Sequence, residues 1–432
     1  MAPAERPHVI VVGAGIGGLV LARDLAIADV RVTLLETAET AETATRSASL
    51  GAPTAVAEVG GVEVDLGADA MSADSGAARA LAAELGLELA LPVRAASWVV
   101  HGPDDAHPLP ALSLLGIPAD PLTREVIALA GTGAALRAQL DALIPMLRPT
   151  KHRTIADLVR RRMGRRVLAR LVAPMVRGRY GVSPTELPIE VASARLSGAL
   201  AFSGTLTAAV RTIADRRPAD DEVVGVVGGM HRLATSLATS AERVGVEIRT
   251  TAPVASLAAT VVELTNGDRL EGRVVAAPPM PSGLTRPVTV VVAAVESAAL
   301  DASPRGAEAV VAAGARGIGA RALAQSSRIW PWLGEALSPH RHLVRLEYDD
   351  APLGSAAVEA DVRAITGVAD VRVVDLAQRE WWSLPHNRPV AVGAADVLTV
   401  GGAGVRRGIA EAIEDARASA ADLVAELRGA DA

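Results

Sequence analysis

The sequence predicts an α/β fold that is organised around a parallel β-sheet, and three observations support this prediction. The apolar run 8–12 leads into a glycine-rich turn and then into a helix with apolar periodicity. A second apolar strand, 31–35, ends on the acidic residue Glu36. Near the C-terminus, a strand at 397–400, a glycine pair and a helix from about residue 407 to 427 repeat this pattern. We therefore expect the two ends of the chain to fold into one domain.

The first glycine-rich turn matches the pattern G-x-G-x-x-G with Gly13, Ala14, Gly15, Ile16, Gly17 and Gly18. In this pattern the first glycine allows a tight turn, the second lets a pyrophosphate approach the backbone, and the third lets helix and strand pack closely. The helix N-terminus adds free N–H groups and positive potential. Glu36 follows Gly15 by about 20 residues, the spacing at which an acidic residue binds an adenosine ribose. The stretch predicts dinucleotide binding but does not distinguish NAD from FAD.

Composition excludes several classes of protein. The chain has 432 residues, a net charge of −6 and no cysteine. Its length predicts two or three sub-domains. Its net negative charge does not favour binding to nucleic acid. The absence of cysteine excludes disulfides and thiolate metal sites, and the eight scattered histidines predict no metal site. No apolar run reaches the roughly 18 residues of a membrane span. We expect a cytoplasmic protein that at most contacts a membrane surface, and the oligomeric state stays open.

The order of segments along the chain favours FAD. A proline-rich stretch at 92–118 and a helical pattern from 121 to about 195 interrupt the α/β pattern, which resumes at residue 222. An uninterrupted NAD-dependent dehydrogenase would normally complete its nucleotide sheet before its catalytic domain begins. The N-terminus of the last helix also favours a reduced flavin ring, which carries negative charge.

The predicted architecture is a discontinuous Rossmann-like FAD-binding domain, an α+β substrate domain and a helical insertion. The predicted boundaries are 1–80, 222–286 and 386–432 for the FAD-binding domain, 81–118 and 287–385 for the substrate domain, 119–205 for the insertion, and 206–221 for a linker.

Several stretches spread over most of the chain carry a family resemblance. They are VVGAGIGGLVLARDLA with LLE, GVEVDLGAD, PLPALSLLGIP, RGRYGVSPTEL, VVGGMHRLATSLA, SSRIWPW, EWWSLP and GGAGVRRGIAEAIEDARASAADL. With these stretches the sequence resembles the flavin-containing amine oxidase superfamily. Within it, RGRYGVSPTEL and SSRIWPW resemble the oxygen-dependent protoporphyrinogen/coproporphyrinogen oxidases of haem biosynthesis.

The resemblance implies a set of site residues. Residues that would bind the FAD cofactor are Gly13, Ala14, Gly15, Gly17, Gly18 and Glu36 for ADP-ribose, Arg46 as a candidate phosphate partner, Val254 for adenine through its backbone, Trp381 or Trp382 beside the flavin, and Gly401, Gly408 and Ile409 for the ring. Residues that would meet the substrate are Arg177 and Arg179 for propionates, and Gly181 and Val182 in a substrate-facing turn.

The resemblance also implies a reaction. The flavin would remove hydride from a porphyrinogen and O2 would reoxidise it to give hydrogen peroxide, so no catalytic side-chain acid or base is expected. Three rounds would produce the porphyrin. The Arg-dominated, Cys-free composition is typical of a high-GC bacterium and favours coproporphyrinogen III over protoporphyrinogen IX as the substrate.

Other functions stay open. An amine oxidase or a desaturase would share the FAD framework, although the only lysine, Lys151, lies in the helical insertion. A degenerate flavin or porphyrin carrier is also consistent with two departures from the family pattern: the paired glycines expected after Glu36 are missing, and Tyr180-Gly181-Val182 replaces Tyr-Ala-Gly. A third departure is Asn387, which replaces a tyrosine.

Overall fold

A computed structural model of the chain describes residues 6–36, 55–93, 96–144, 154–215, 223–250, 252–277, 286–349, 354–383, 396–400 and 408–430. In chain order the strands are β1 (His8–Val12), β2 (Arg31–Leu35), β3 (Val56–Val59), β4 (Val62–Asp65), β5 (Met71–Ser72), β6 (Leu89–Ala90), β7 (Ser97–Gly102), β8 (Asp105–Pro108), β9 (Ser113–Leu114), β10 (Ile117–Pro118), β11 (Val223–Val226), β12 (Glu247–Arg249), β13 (Val254–Ala258), β14 (Val261–Leu264), β15 (Arg269–Glu271), β16 (Arg273–Ala276), β17 (Arg286–Glu296), β18 (Glu308–Val311), β19 (Ala322–Ala324), β20 (Arg341–Tyr348), β21 (Arg372–Ser383) and β22 (Leu398–Thr399).

The α-helices are α1 (Ile16–Ile27), α2 (Gly76–Glu84), α3 (Arg124–Ala130), α4 (Thr132–Gln139), α5 (Ile155–Arg162), α6 (Arg165–Val167), α7 (Ala173–Tyr180), α8 (Ile189–Ala192), α9 (Ala194–Ser203), α10 (Leu206–Asp215), α11 (His231–Arg243), α12 (Ser326–Ile329), α13 (Pro331–Glu335), α14 (Ser355–Thr366) and α15 (Ile409–Ala430). A π-helical turn, Leu168–Val172, joins α6 to α7, and short 3-10 turns lie at Leu140–Leu143 and Ala299–Ala302.

The nucleotide domain is built on a five-stranded parallel sheet with the order β12-β2-β1-β16-β22. Its three central strands, β2, β1 and β16, are mostly apolar and buried, as expected for a sheet covered on both faces, whereas the outer strands β12 and β22 are more exposed. The last strand of the chain, β22, completes the sheet beside β16, and α15 packs against α1. The two ends of the chain therefore form one domain, as the sequence predicts.

A three-stranded antiparallel sheet, β13-β14-β15, follows β12. The sequence pattern predicts one strand from 254 to 264, and this prediction is wrong because the chain reverses between β13 and β14. The reversal lets Val262 and Leu264 pack into a core with Ile10 and Leu35. The turn at Asn266-Gly267 joins β14 to β15 as predicted, and Gly267 has a positive φ of 89°.

The substrate domain contains a seven-stranded sheet with the order β21-β17-β20-β19-β18-β7-β8. Alternate residues of β17 enter two different cores, since side chains along a strand point to opposite faces. Val291, Ala293 and Val295 pack with α14, whereas the neighbouring positions 290, 292 and 294 pack against the β3–β4 hairpin and Trp330. Strand β11 pairs with β5 and β6, so it lies outside the parallel sheet.

The helices from α3 to α10 share one apolar core. Residues 206–221 are predicted to be a linker, and this prediction is wrong for 206–215, which form α10. Leu206, Ala209, Val210 and Ile213 repeat at helical spacing and are buried in the core of the insertion. The remaining residues of the predicted linker, 216–221, lie outside the described residues.

Among the described residues, no single helix has both the length and the apolarity needed to cross a bilayer. The bent pair Arg124–Ala130 and Thr132–Leu143, with an angle of 118° between its helices, meets that test on length and composition alone.

Candidate functional site

In the glycine turn between β1 and α1, the fold itself requires two of the glycines but not the third. Gly13 has φ of 110°, and its N–H donates to the Leu35 carbonyl at 2.7 Å. A Cβ on Gly18 would lie 2.0 Å from the Gly13 carbonyl oxygen, so a side chain there would displace the turn. By contrast, Gly15 has an ordinary φ of −66°, and no atom of the described residues lies within 4 Å of the position a Cβ would take. Among the described residues, the space beside Gly15 is therefore open to a bound group.

The start of α1 fits an anionic group. Gly15 is the N-cap residue and gives no side-chain hydrogen bond to the first turn, which contains no acidic residue. Unpaired N–H groups and the helix dipole make such an end attractive to a pyrophosphate.

Glu36 lies next to this turn. Its side chain is buried, and its Oε2 accepts a hydrogen bond of 3.0 Å from the N–H of Ala14. Its backbone pairs with Arg249 and Ala252, which places the carboxyl end of β2 beside the start of β13. Val254 lies at that start, where a bulge separates Val254 from Ser256. The structure thus brings Glu36 and Val254, which are far apart in sequence, to one edge of the parallel sheet.

The predicted residues for the flavin ring are described only in part. Gly408 and Ile409 lie at the start of α15, where Ile409 packs in the same core as Ile16 of α1. Glu411, in the first turn of α15, offsets the positive end of this helix. Gly401 and Arg46 lie outside the described residues.

The predicted tryptophan pair lies on β21. The backbones of Trp381 and Trp382 are opposite Val288 and Pro287 of β17. Their side chains are outside the described part of the structure.

A cavity of about 740 Å³ on the helical insertion lies between α4 and α5, away from the predicted site residues. A second cavity, of about 640 Å³, lies between α7 and the edge of the seven-stranded sheet. We call the second one the substrate cavity. Arg177, Gly181 and Val182 line it, as does Val288, whose backbone is opposite Trp381. The structure therefore brings three of the four predicted substrate residues to one cavity, at a sheet edge that reaches the tryptophan strand.

Arg179, the fourth predicted substrate residue, does not lie at the substrate cavity. Its side chain is exposed and does not line the substrate cavity. Residues two apart on a helix point in nearly opposite directions, so Arg177 and Arg179 cannot face the same wall.

Two arginines that line the substrate cavity form ion pairs with nearby carboxylates. Arg177 Nη2 donates to Asp349 at 2.6 Å, and the buried Arg321 bonds Glu347 at 2.8 Å and Asp349 at 3.1 Å. Gly181, with φ of 64°, lies over this guanidinium, because a Cβ there would be 2.5 Å from Arg321 Nη1. Sequence reasoning missed Arg321 and Asp349, since they come from strands distant from Arg177. The only local signal was the glycine at 181.

His101 also lines the substrate cavity. Its Nε2 donates to the Arg170 carbonyl at 3.0 Å. Burial is the main cause that lowers the pKa of His101 below its ordinary value, so the imidazole is neutral near pH 7. His101 therefore adds no positive charge to that of the arginines that line the cavity.

Asp65 connects two segments of the nucleotide domain. Its carboxylate accepts hydrogen bonds from the backbone N–H groups of Met230 (2.6 Å) and His231 (2.9 Å), where it caps the start of α11. This contact joins the stretches GVEVDLGAD and VVGGMHRL, which are far apart in sequence, and sequence reasoning did not find it. Among the described residues, no group of three or more His, Asp or Glu side chains is arranged to hold a metal ion.

Comparison with known proteins identifies the family to which the chain belongs. The profile of the family described as flavin containing amine oxidoreductase matches residues 16–336. The coproporphyrinogen III oxidases of Mycobacterium tuberculosis (strain ATCC 25618 / H37Rv) and Mycobacterium leprae (strain TN) are 32% and 31% identical over 207 residues. That stretch is 46% of this chain and 43% and 44% of the two relatives, so the chain matches less than half of their length.

Solved structures show the same fold over almost the whole chain. A protein from Exiguobacterium sp. 255-15, proposed to be a protoporphyrinogen oxidase, has a TM-score of 0.78 and 18% identity and covers 98% of this chain and 100% of its own. Putrescine oxidase bound to putrescine has a TM-score of 0.61 and 16% identity, with coverage of 98% and 100%. Since the family profile covers most of the chain, this protein belongs to the flavin containing amine oxidoreductase family, and it is an oxidoreductase with an α/β FAD-binding fold and FAD as its cofactor.

Proposed function

We propose that this protein is an FAD-dependent oxidase that aromatises a porphyrinogen, with coproporphyrinogen III as the preferred substrate and O2 as the acceptor. The observation that carries the proposal is the substrate cavity. Its wall is formed by the stretch that resembles porphyrinogen oxidases, and its edge reaches the strand that holds Trp381. The coproporphyrinogen III oxidases among the curated relatives support the choice of substrate.

The size and lining of the substrate cavity suit a macrocycle. A volume of about 640 Å³ lies within the range of small-molecule sites, roughly 300–1,000 Å³. Small apolar residues contribute much of its lining, including Ala173, Pro174, Ala312 and Ala313. Such a surface binds and orients a hydrophobic ring system and keeps water away from it.

The chain supplies binding groups for the carboxylates of the substrate. The guanidinium of Arg177 is partly exposed, with 26% of its side-chain surface accessible, and its Nε makes no hydrogen bond to the described residues. It can therefore bind a propionate while it keeps its contact with Asp349. The turn with Gly13, Gly15 and Gly18, together with Glu36, would hold FAD, and the chemistry that this cofactor would supply is acceptance of a hydride from the substrate and transfer of its electrons to O2.

The proposal is tested with the purified, FAD-loaded protein. Coproporphyrinogen III and protoporphyrinogen IX are each incubated with it in air, and porphyrin fluorescence is followed, with putrescine as a control for amine oxidation. We expect fluorescence to rise faster with coproporphyrinogen III, and the flavin absorbance to bleach with this substrate in the absence of oxygen. Porphyrin binding without turnover would instead support a carrier, and peroxide from putrescine alone would support an amine oxidase.

Substitution of Arg177 by glutamine is expected to raise KM for coproporphyrinogen III about tenfold, with a smaller change in kcat. The expected size follows from the loss of a hydrogen bond to a charged group, worth roughly 1.5–3 kcal/mol. Arg179→Gln removes the same charge outside the substrate cavity and is expected to change KM less. Arg161→Gln, at another exposed arginine of the insertion, controls for general electrostatic attraction. Equal effects of all three substitutions would contradict a specific role of Arg177.

A further inference from the structure

The substrate cavity has a second end, to which sequence analysis assigned no residue. Residues that line it extend along one edge of the seven-stranded sheet, from Val288 on β17 to His101 on β7. These two strands are four positions apart in the sheet, which places them roughly 19 Å from each other. The Val288 end adjoins Trp381. We call the His101 end the distal end.

Arg170 lines the distal end, and its guanidinium is held by two of its three nitrogens. Nε donates to the Leu129 carbonyl at 2.8 Å, and Nη2 donates to both carboxylate oxygens of Asp105 at 3.0 Å. His101 Nε2 donates to the backbone carbonyl of the same residue. Arg170 Nη1 makes no hydrogen bond to any residue that the structure describes. The guanidinium is thus positioned by the fold and keeps two N–H groups for a ligand.

Arg177 lines the same cavity, seven residues further along the helical stretch from α6 to α7. This spacing corresponds to about 10 Å along a helix. The cavity wall between the two arginines contains Ala169, Ala173 and Pro174, and Ala312 and Ala313 lie on the facing side. The cavity is therefore a broad slot with small apolar walls, one guanidinium at its distal end and a second about 10 Å along it. Arg170 lies in the π-helical turn Leu168–Val172, a feature that often marks functional positions in helices.

We propose that Arg170 binds a carboxylate of the substrate at the distal end while Arg177 binds another carboxylate nearer to β21. The inference rests on the proposed function and deepens it. The two arginines together select a macrocycle that carries carboxylates on more than one side of the ring. Coproporphyrinogen III has four propionates distributed around its ring and satisfies both arginines. Protoporphyrinogen IX has two propionates, on neighbouring pyrrole rings, and offers only one pair of carboxylates to the two arginines.

The test measures binding rather than turnover. FAD-loaded wild type and Arg170→Gln are titrated with coproporphyrin III and with its tetramethyl ester in dilute detergent, and protein fluorescence quenching gives Kd. We expect Arg170→Gln to raise Kd for the tetra-acid about tenfold and to leave Kd for the ester within about twofold, because only the acid bonds the guanidinium. Arg161→Gln is the matched control and is expected to change neither value. An equal rise of Kd for acid and ester, or no rise for either, would overturn the inference.

A second variant covers the case in which Arg170→Gln does not fold. Asp105→Asn keeps Arg170 and removes the carboxylate that partly neutralises it, and Asp105 is itself 43% exposed. We expect Kd for the tetra-acid to fall a few-fold at low salt, with the ester unaffected. An unchanged or raised Kd for the acid would count against Arg170 as an anchor. If wild type oxidises coproporphyrinogen III and both variants behave like it, this inference fails alone, whereas absence of porphyrin binding and oxidation in wild type removes the proposed function itself.

Discussion

Gly15→Ala is expected to give a folded protein that purifies with little or no flavin. Gly15 has φ of −66°, which alanine adopts without strain, and no atom of the residues that the structure describes lies within 4 Å of the added Cβ. The methyl group would therefore enter only the space where the pyrophosphate approaches the backbone. We expect Kd for FAD to rise about 10- to 100-fold, the cost of placing a methyl group against a tightly packed ligand. The ratio of flavin to protein absorbance and a titration of apoprotein with FAD measure this change.

Gly18→Ala is the matched control for this prediction. Its Cβ would lie 2.0 Å from the Gly13 carbonyl oxygen and 3.2 Å from Ala277 Cβ, so the turn has to move. We expect this variant to lose both stability and FAD, with the free energy of unfolding of the apoprotein lower by roughly 1–3 kcal/mol. Gly15→Ala should change that free energy by less than about 1 kcal/mol. If Gly15→Ala retained FAD with wild-type affinity, the cofactor could not lie against this turn.

Arg162→Met is expected to lower the free energy of unfolding of the helical insertion by about 3–5 kcal/mol. Arg162 and Asp141 form an ion pair of 2.5 Å, and their side chains are only 3% and 0% exposed. Removing the guanidinium leaves a buried carboxylate without its cation. The N–H and hydroxyl of Thr207, which also bond Asp141, offset only part of the cost. Denaturant unfolding followed by circular dichroism measures the change, and FAD content reports whether the nucleotide domain stays intact.

The double variant Asp141→Leu with Arg162→Met separates charge burial from packing. It removes both charges, and it also removes the cap that Asp141 provides at the start of α10, worth about 1 kcal/mol. We expect it to be more stable than Arg162→Met alone, since a buried ion pair replaced by apolar groups often costs little. A double variant less stable than the single one would show that Asp141 acts mainly through its hydrogen bonds.

Local pattern was sufficient to predict the nucleotide domain. The roles of Gly13 and Gly18 follow from backbone conformation and close packing within one βα unit, and the structure shows both. The return of the C-terminus to the first domain was predicted because two similar βα units flank the chain, and β22 joins the sheet as the fifth strand. These predictions concern residues that are close in sequence or that repeat a known unit.

Predictions that depended on side-chain direction or on distant segments were less accurate. Arg177 and Arg179 were predicted as a pair, but a helix points them to different sides. The prediction of a linker at helix α10 is wrong because the apolar face of this helix, with Leu206 and Val210, is buried only by packing against the core of the insertion. The strand predicted at 254–264 is two strands, because burial of Val262 beside β1 favours a reversal of the chain.

By itself, the sequence determined the class of fold and the positions of the turns, since these follow from glycine placement and from periodicity within about 30 residues. The choice of FAD over NAD came from the order of segments along the whole chain and from the family resemblance. Only the tertiary structure decided which charged groups meet. Arg170 with Asp105, Arg177 with Asp349, and Arg162 with Asp141 are pairs whose members belong to separate elements. The physical reason is that the packing of separate elements brings such residues together. A local sequence pattern does not identify a partner that lies far along the chain.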